Sequence, residues 1–388
     1  MAKTRVIMAM SGGVDSAVAA ARLVDRGYEV VGVTLHLWDY PAEGEPGSHG
    51  RCCAPEDQYD ARRTADLLGF AHYTFDRRAL FREAVVEPFV DAYLEGETPS
   101  PCAACNRSIK LRELFRLADH LGAGYVATGH YARVVQDAAG TAFLAEGRDS
   151  AKDQSYFLYA ASKSQIERLL FPVGDSLKVE VRAEARHRAL PGATKGESQE
   201  LCFVGEGPAA YSTFIETRAE GRIRPGEIID PDGNVASTHG GVHRFTIGQR
   251  KGLGVARGTP VYVTRIDAAA GRVHLGHAED LECMRAELDD VVLRESIALP
   301  LRARVRVRYR HVGAWAELQP GRSDASGNAK IVVTFEEPVR AVTRGQIAVF
   351  YDGDRVLGGG RIDCAIPREN VVNGRPFSSP SFLLPSGV

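Results

Sequence analysis

Over roughly the first two hundred positions, short apolar β-branched runs alternate with stretches whose apolar residues recur at helical spacing. Such alternation predicts α/β architecture, a parallel sheet covered by helices, in which strands are apolar throughout and helices along one stripe. The run "TRVIMAM" (4–10) predicts a buried strand, and "SGG" turns the chain into a helix over 14–26 that stops at Gly27, a good C-terminal cap. A second strand is expected over "YEVVGVTLHLW" (28–38), then a Gly/Pro-rich loop to about Pro55 and a helix "EDQYDARRTADLLG" closed by Gly69. A helix over 107–121 leads to a strand "YVATGHYARVV", and helices from about 153 to 190 extend this first unit, set at 1–207.

From about 208 glycines and short alternating strands dominate, as in "PVYVTRIDAAAGRVHLG", which predicts a small β-rich middle unit over 208–283. Alternating strands and Gly-rich turns then continue over 284–388 with no long helical period, the pattern of a small β-barrel.

The net charge of −2 gives no whole-chain basic field, so a nucleic-acid partner has to be met by a local patch. One candidate stands in "LRARVRVRYRHV", where Arg302, Arg304, Arg306, Arg308 and Arg310 recur at period two and therefore share one face of a strand. Their same-face spacing of roughly 6–7 Å approximates that of successive phosphates. Residues 300–388 also hold thirteen Lys/Arg against eight Asp/Glu, an excess the total conceals. The competing reading is a solvated outer barrel face. The early apolar run Val6 to Met10 is too short for a membrane span or a signal-peptide core, so the expected compartment is the cytoplasm, without a membrane partner. Seven scattered cysteines do not form a disulfide framework, and in a reducing compartment paired cysteines favour catalysis or metal binding.

Two stretches carry candidate chemistry. In "MSGGVDSAVAAA" a strand runs through small residues into a helix. There the amides of Gly12 to Ser16 sit at the positive helix end, Ser11 and Ser16 add hydroxyls, and Asp15 is a candidate ligand for Mg²⁺ on bound phosphates. It lacks the GK[ST] ending of a Walker A loop and the spacing of a dinucleotide fingerprint. A tight strand–helix turn with a serine cap is the alternative. In "TPSPCAACNR" (98–107), Cys102 and Cys105 form a CxxC pair in what reads as a proline-framed loop. Zinc would need further ligands, a thioredoxin-like motif should open a helix, and an iron–sulfur cluster on Cys102, Cys105 and Cys202 stays open.

The SGGxDS loop resembles the pyrophosphatase-type phosphate loop of enzymes that split ATP to AMP and pyrophosphate. Seven stretches in order make the chain similar to the tRNA-specific 2-thiouridylase family: "CCAPEDQYDARRTADLLG", "TPSPCAACNRSIKL", "ATGHYARV", "KDQSYFLY", "GESQELCFV", "HRFTIGQRKGLGV" and "GQIAVFYDGDRVLGGGRI". The resemblance implies an adenine-nucleotide α hydrolase-like first domain and exchange of O2 for sulfur in the wobble uridine of tRNA. It implies ATP contacts at Ala9, Met10, Ser11, Gly12, Gly13, Val14, Asp15, Ser16, Leu35 and Gly129. It makes Cys105 the nucleophile and Cys202 the persulfide carrier, charged by an upstream sulfur donor or relay protein, with a Cys105–Cys202 disulfide in the oxidised protein. For the tRNA anticodon region it implies Ser100, Pro101, Cys102, His130, Lys152, Asp153, Gln154, Tyr309, Arg310 and Gln346. Some family members carry an acid at the Cys102 position. Two other functions compete: a ligase acting on a small molecule, and an RNA-binding or sulfur-relay protein without chemistry of its own.

Overall fold

A computed structural model describes residues 3–39, 55–196, 201–205, 207, 210–255, 258–294, 297–323, 327, 329–367, 371–372 and 375–376. The adjacent Cys52 and Cys53, and most of the "GESQE" stretch, lie outside these residues. Among them, no helix is long and apolar enough to cross a membrane.

Strand β1 (Arg5–Ala9) leads through the turn at Ser11–Gly13 into helix α1 (Val14–Asp25), followed by β2 (Glu29–His36), helix α2 (Pro55–Leu68), β3 (Ala71–Asp76) and β4 (Tyr125–Ala127). Next come β5 (Ala132–Gln136), β6 (Ala142–Glu146) and β7 (Leu169–Leu170). The five strands β3-β2-β1-β4-β7 form a wholly parallel sheet in that order. The order reverses between β1 and β4, which opens a crevice at their carboxyl ends. One face of the sheet buries Met8, Val18 and Ala21 against Val181 and Ala185 of helix Lys178–His187. The other buries Ile7, Val33 and Val126 against the helical runs 78–94 and 101–120.

The middle unit holds a four-stranded sheet made of β8 (Gly226–Ile229), β9 (Val235–His239), β10 (Tyr262–Asp267) and β11 (Arg272–Gly276). The last unit comprises β12 (Glu282–Leu293), β13 (Leu301–Arg306), β14 (Ala314–Pro320), β15 (Ile331–Arg340), β16 (Ile347–Asp352) and β17 (Arg355–Pro367). Pairing of β12 with β17 closes these six strands into a barrel, which removes the sheet edges.

Three local expectations are corrected. The stretch "YVATGHYARVV" divides into β4 and β5, because a Cβ on Gly129 would stand 2.8 Å from the Ser16 amide nitrogen; the chain has to pass the start of α1 there. Past that point β5 and β6 form a hairpin that joins the barrel sheet beside β17. Over 153–190 one helix exceeds four residues, Lys178–His187, and "KDQSYFL" gives only the 3₁₀ turn Ser155–Leu158. The arginine-rich strand ends at Arg306, so the five arginines do not share a strand face.

Candidate active site

The phosphate loop is knitted by its own serines. Ser16 Oγ donates to the Gly13 carbonyl (2.9 Å) and accepts from the Ser11 amide (3.3 Å), while Ser11 Oγ accepts from the Gly13 amide (3.4 Å). Gly12 has φ +76°, and a Cβ there would lie 2.0 Å from the Asp57 carbonyl oxygen, so the first turn of α2 backs the loop directly. Gly13 caps α1, whose first-turn amides have no partner within the helix and face the crevice end of β1, an arrangement that favours anions. Thr34 Oγ1 donates to the Met10 carbonyl (2.7 Å), tying the end of β1 to β2, where Leu35 is buried. The expected ATP residues, Ala9 to Ser16 with Leu35 and Gly129, thus gather at the carboxyl edge of the sheet.

Asp15 stands in a charged cluster that the sequence did not announce. Lys178 Nζ lies 2.8 and 2.7 Å from its two oxygens, and Tyr131 Oη donates to it at 2.9 Å. The ammonium also lies 5.6 Å from the centre of the Tyr131 ring. Behind the loop, Lys195 bridges Asp57 (2.8 Å) and Asp60 (2.6 Å); burial opposes its charge, yet the two carboxylates hold its pKa above the ordinary lysine value. Lys178 and Lys195 come from segments over 160 residues beyond the loop, and only the packing of helix Lys178–His187 on α1 could have revealed the first. An acid and a lysine at a helix start fit Mg²⁺–phosphate binding, since Mg²⁺ is commonly held by one or two carboxylates together with phosphate oxygens and water.

A second site is a cleft of about 850 Å³ walled by all three units. Ser100, Pro101 and Cys102 of the first unit, Tyr309 and Gln346 of the barrel, and Arg244 and Lys251 of the middle unit line it. Gln346 Nε2 donates to the Thr98 carbonyl (2.9 Å), fastening the barrel to the cysteine-bearing segment. The Tyr309 and Phe157 rings stack at 4.5 Å and 33° on the cleft wall. Five residues expected at tRNA therefore converge here, together with Leu201, the neighbour of Cys202.

The CxxC pair opens a helical turn, Pro101–Cys105, with Pro at its first position and Ser100 as N-cap, rather than lying in a loop. Cys102 is exposed, Cys105 is buried in the hydrophobic core, and the half-buried Cys202 packs against that same core. Among the described residues no three Cys, His, Asp or Glu side chains come together as a metal site, so the three-thiolate iron–sulfur arrangement is not formed.

The other expected tRNA residues divide. Arg310 is exposed and Lys152 half-buried. His130 Nδ1 and Thr128 Oγ1 lie 2.8 Å apart; burial, with Lys110 adding repulsion, pushes the His130 pKa down to about 3. Gln154 turns inward, its Oε1 accepting from the Tyr131 amide (3.0 Å). Asp153 is 3% exposed and accepts from the Gly147 and Ser155 amides (3.0 Å each), from Ser155 Oγ (3.1 Å) and from Arg306 Nη1 (2.7 Å). Its carboxylate is fully engaged at the junction between units. The arginines of the expected stripe are paired as well: Arg304 and Arg306 bond Glu146 of the β5–β6 hairpin (2.6 and 3.2 Å), and Arg302 bonds Glu336. At Arg304 and Arg306 the barrel face is covered by the first unit, whereas Arg302 stays exposed.

Three family descriptions match in succession: a tRNA methyl transferase HUP domain over residues 4–206, a tRNA methyl transferase PRC-barrel domain over 212–277 and an aminomethyltransferase β-barrel domain over 282–362. The chain is 62% identical over 362 residues to tRNA-specific 2-thiouridylase MnmA of Sorangium cellulosum, covering 93% of each chain. To the protein of the same name from Moorella thermoacetica it is 46% identical, covering 92% of this chain and 99% of the relative. Among solved structures, a 4-thiouridine synthetase–RNA complex with bound ATP aligns at 14% identity over 56% of this chain and 51% of that one, with a TM-score of 0.35, too low to bear on the reading. The matches at 62% and 46% identity, each over more than nine-tenths of the chain, are decisive: this chain belongs to the tRNA-specific 2-thiouridylase family.

Proposed function

We propose that this protein is a tRNA-uridine 2-sulfurtransferase, acting in the cytoplasm, that adenylates O2 of the wobble uridine (position 34) and replaces it with sulfur. The observation that carries the reading is the three-unit cleft, which joins the Ser100–Cys102 segment to Tyr309 and Gln346 in a molecule that also holds a phosphate loop. A uracil oxygen is a poor leaving group. Attack of O2 on the α-phosphorus of ATP expels pyrophosphate and makes that oxygen part of a phosphate ester. The loop amides and Lys178 would hold the phosphates, and Mg²⁺ held by Asp15 and the phosphates would neutralise their charge.

The terminal sulfur of a Cys202 persulfide, loaded by a protein or small-molecule sulfur donor, then attacks C2 and AMP leaves. The Cys105 thiolate next attacks the Cys202 sulfur, breaking the S–S bond, releasing 2-thiouridine and forming a Cys105–Cys202 disulfide that an external thiol reduces. The buried position of Cys105 and the packing of Cys202 on the same core support a pair shielded from water. Cys102, exposed in the cleft, has no obligatory part in that exchange. Lys152, His130 and Arg310 are proposed to contact tRNA around the cleft.

The base has to leave its stack, since C2 is inaccessible in a stacked anticodon. The test is pyrophosphate release from ATP with and without tRNA. Release that requires tRNA supports base adenylation; equal release without it would leave a small-molecule ligase.

A further inference from the structure

The middle unit contributes a turn, "GQRKGLG" (248–254), whose role neither the phosphate loop nor the cysteine pair explains. It is held from both sides. The Gly248 amide donates to the Val263 carbonyl (2.8 Å), and the Val263 amide to the Gln249 carbonyl (2.9 Å). The Gln249 side chain spans the turn, its Oε1 accepting from the Thr246 amide (3.0 Å) and its Nε2 donating to the Lys251 carbonyl (3.0 Å). Phe245 and Leu253, on either side, are buried in the core of this unit. Gly252, with φ +74°, reverses the chain directly after Lys251. A lysine on such a turn is presented from a fixed backbone, so less ordering entropy opposes its use in binding.

Lys251 lines the cleft and is exposed. The cleft's other middle-unit cation, Arg244, is occupied, with Nε and Nη2 donating to Glu216 Oε1 at 3.0 and 2.6 Å. Lys251 has no such carboxylate partner among the described residues. The lining is also aromatic, with the paired Phe157 and Tyr309 rings and Tyr156. A volume of about 850 Å³ lies within the range of roughly 300–1,000 Å³ typical of ligand pockets. The lining thus brings aromatic rings that suit a base together with a cation that has no carboxylate partner among the described residues.

We infer that Lys251 binds a phosphodiester of the RNA strand whose base occupies the cleft, making the 248–254 turn a backbone-gripping site contributed by the middle unit. The inference rests on the thiouridylase reading and adds to it a role for the middle unit. The contact is to backbone, so it strengthens binding without choosing sequence.

The test is the salt dependence of tRNA binding by the full chain, for wild type, Lys251→Ala, Lys251→Arg and Arg250→Ala. Arg250 is exposed on the same turn but does not line the cleft, and so controls for the general field. Lys251→Ala is expected to flatten the log–log slope by about 0.7–1 and to raise Kd on the order of tenfold at physiological salt. Lys251→Arg restores the slope, Arg250→Ala changes it less and keeps thiolation, and none of the three moves the melting temperature. An unchanged slope in Lys251→Ala, or equal changes in Lys251→Ala and Arg250→Ala, overturns the inference while leaving thiolation by the wild type intact. Normal RNA binding by Lys251→Ala, with thiolation lost only when a protein persulfide supplies the sulfur, would assign the turn to a protein partner and also overturn it. A wild type that neither binds nor thiolates tRNA removes the thiouridylase reading and this inference together.

Discussion

The phosphate loop runs along one stretch of chain, Arg5 to Asp25, from β1 through Ser11–Gly13 into α1, whereas the cleft draws on segments spread from Phe89 to Gln346. The loop is made of backbone: amides at a helix start, two serines and close contacts that exclude a Cβ at Gly12 and Gly129. The cleft is made of side chains whose places depend on how three units dock. A site of the first kind is fixed by local geometry and is damaged by a single methyl group. A site of the second kind is fixed by the junction between units and is damaged from a distance.

The largest expected effect is at the loop. Gly12→Ala should abolish pyrophosphate release from ATP, because the new Cβ meets the Asp57 carbonyl oxygen at 2.0 Å and φ is +76°. A variant that still turns over ATP at the normal rate would take the loop out of the chemistry.

Next in size is the junction. Arg306→Met strands the Asp153 carboxylate, 3% exposed, without its cation, and a loss of about 3–5 kcal/mol is expected in denaturant unfolding. Tyr309 should loosen with it, because Arg306 Nη2 also donates to the Tyr309 carbonyl, and tRNA binding should weaken at temperatures where the variant is folded. The exposed Arg302, paired with Glu336, is the internal comparison: Arg302→Ala should leave both the melting temperature and tRNA affinity unmoved. Equal behaviour of the two variants would erase the distinction between junction and surface.

Lys178→Ala should slow AMP formation on the order of a hundredfold, the scale of losing one charged donor at developing charge, with tRNA affinity unchanged. Parallel losses in both would instead make Lys178 a structural brace for Asp15.

The smallest effect concerns His130. Its folded pKa of about 3 lies below the unfolded value near 6.5, so the folded state prefers the neutral ring. Its contribution to stability is present above about 6.5 and is lost as pH falls from there toward about 3. His130→Asn should therefore show a shallower loss of melting temperature than wild type over that interval, with the two curves parallel above pH 7. Curves parallel throughout would mean that the ring is not desolvated.

The contrast also explains what the sequence revealed. The loop, the parallel sheet and the barrel were legible because each follows from contiguous pattern: a strand run, a small-residue turn, a helical period, then strand alternation. Lys178 beside Asp15 was not, since nothing within "SLKVEVR" marks a lysine that reaches back to residue 15. The arginine stripe misled for a related reason. Period two correctly puts Arg302, Arg304 and Arg306 on one strand face, but a strand pattern does not say what covers that face, and here the β5–β6 hairpin with Glu146 covers it at Arg304 and Arg306. The partners of Asp153 and Gln154 were equally hidden; polar residues at a turn read as surface groups, yet Asp153 is buried under Arg306 and Gln154 clamps the Tyr131 backbone.

The central claim is that one site activates a tRNA uridine with ATP and a cysteine pair then supplies its sulfur. Nucleoside mass spectrometry of tRNA after incubation with the protein, ATP, Mg²⁺ and a persulfide source tests it most directly, alongside Cys105→Ser and Cys202→Ser. The account predicts 2-thiouridine at the wobble position with wild type, dependent on ATP, and none with either serine variant although both still release pyrophosphate. Thiolated uridine formed at the wild-type rate by either variant, or formed without ATP, would contradict it.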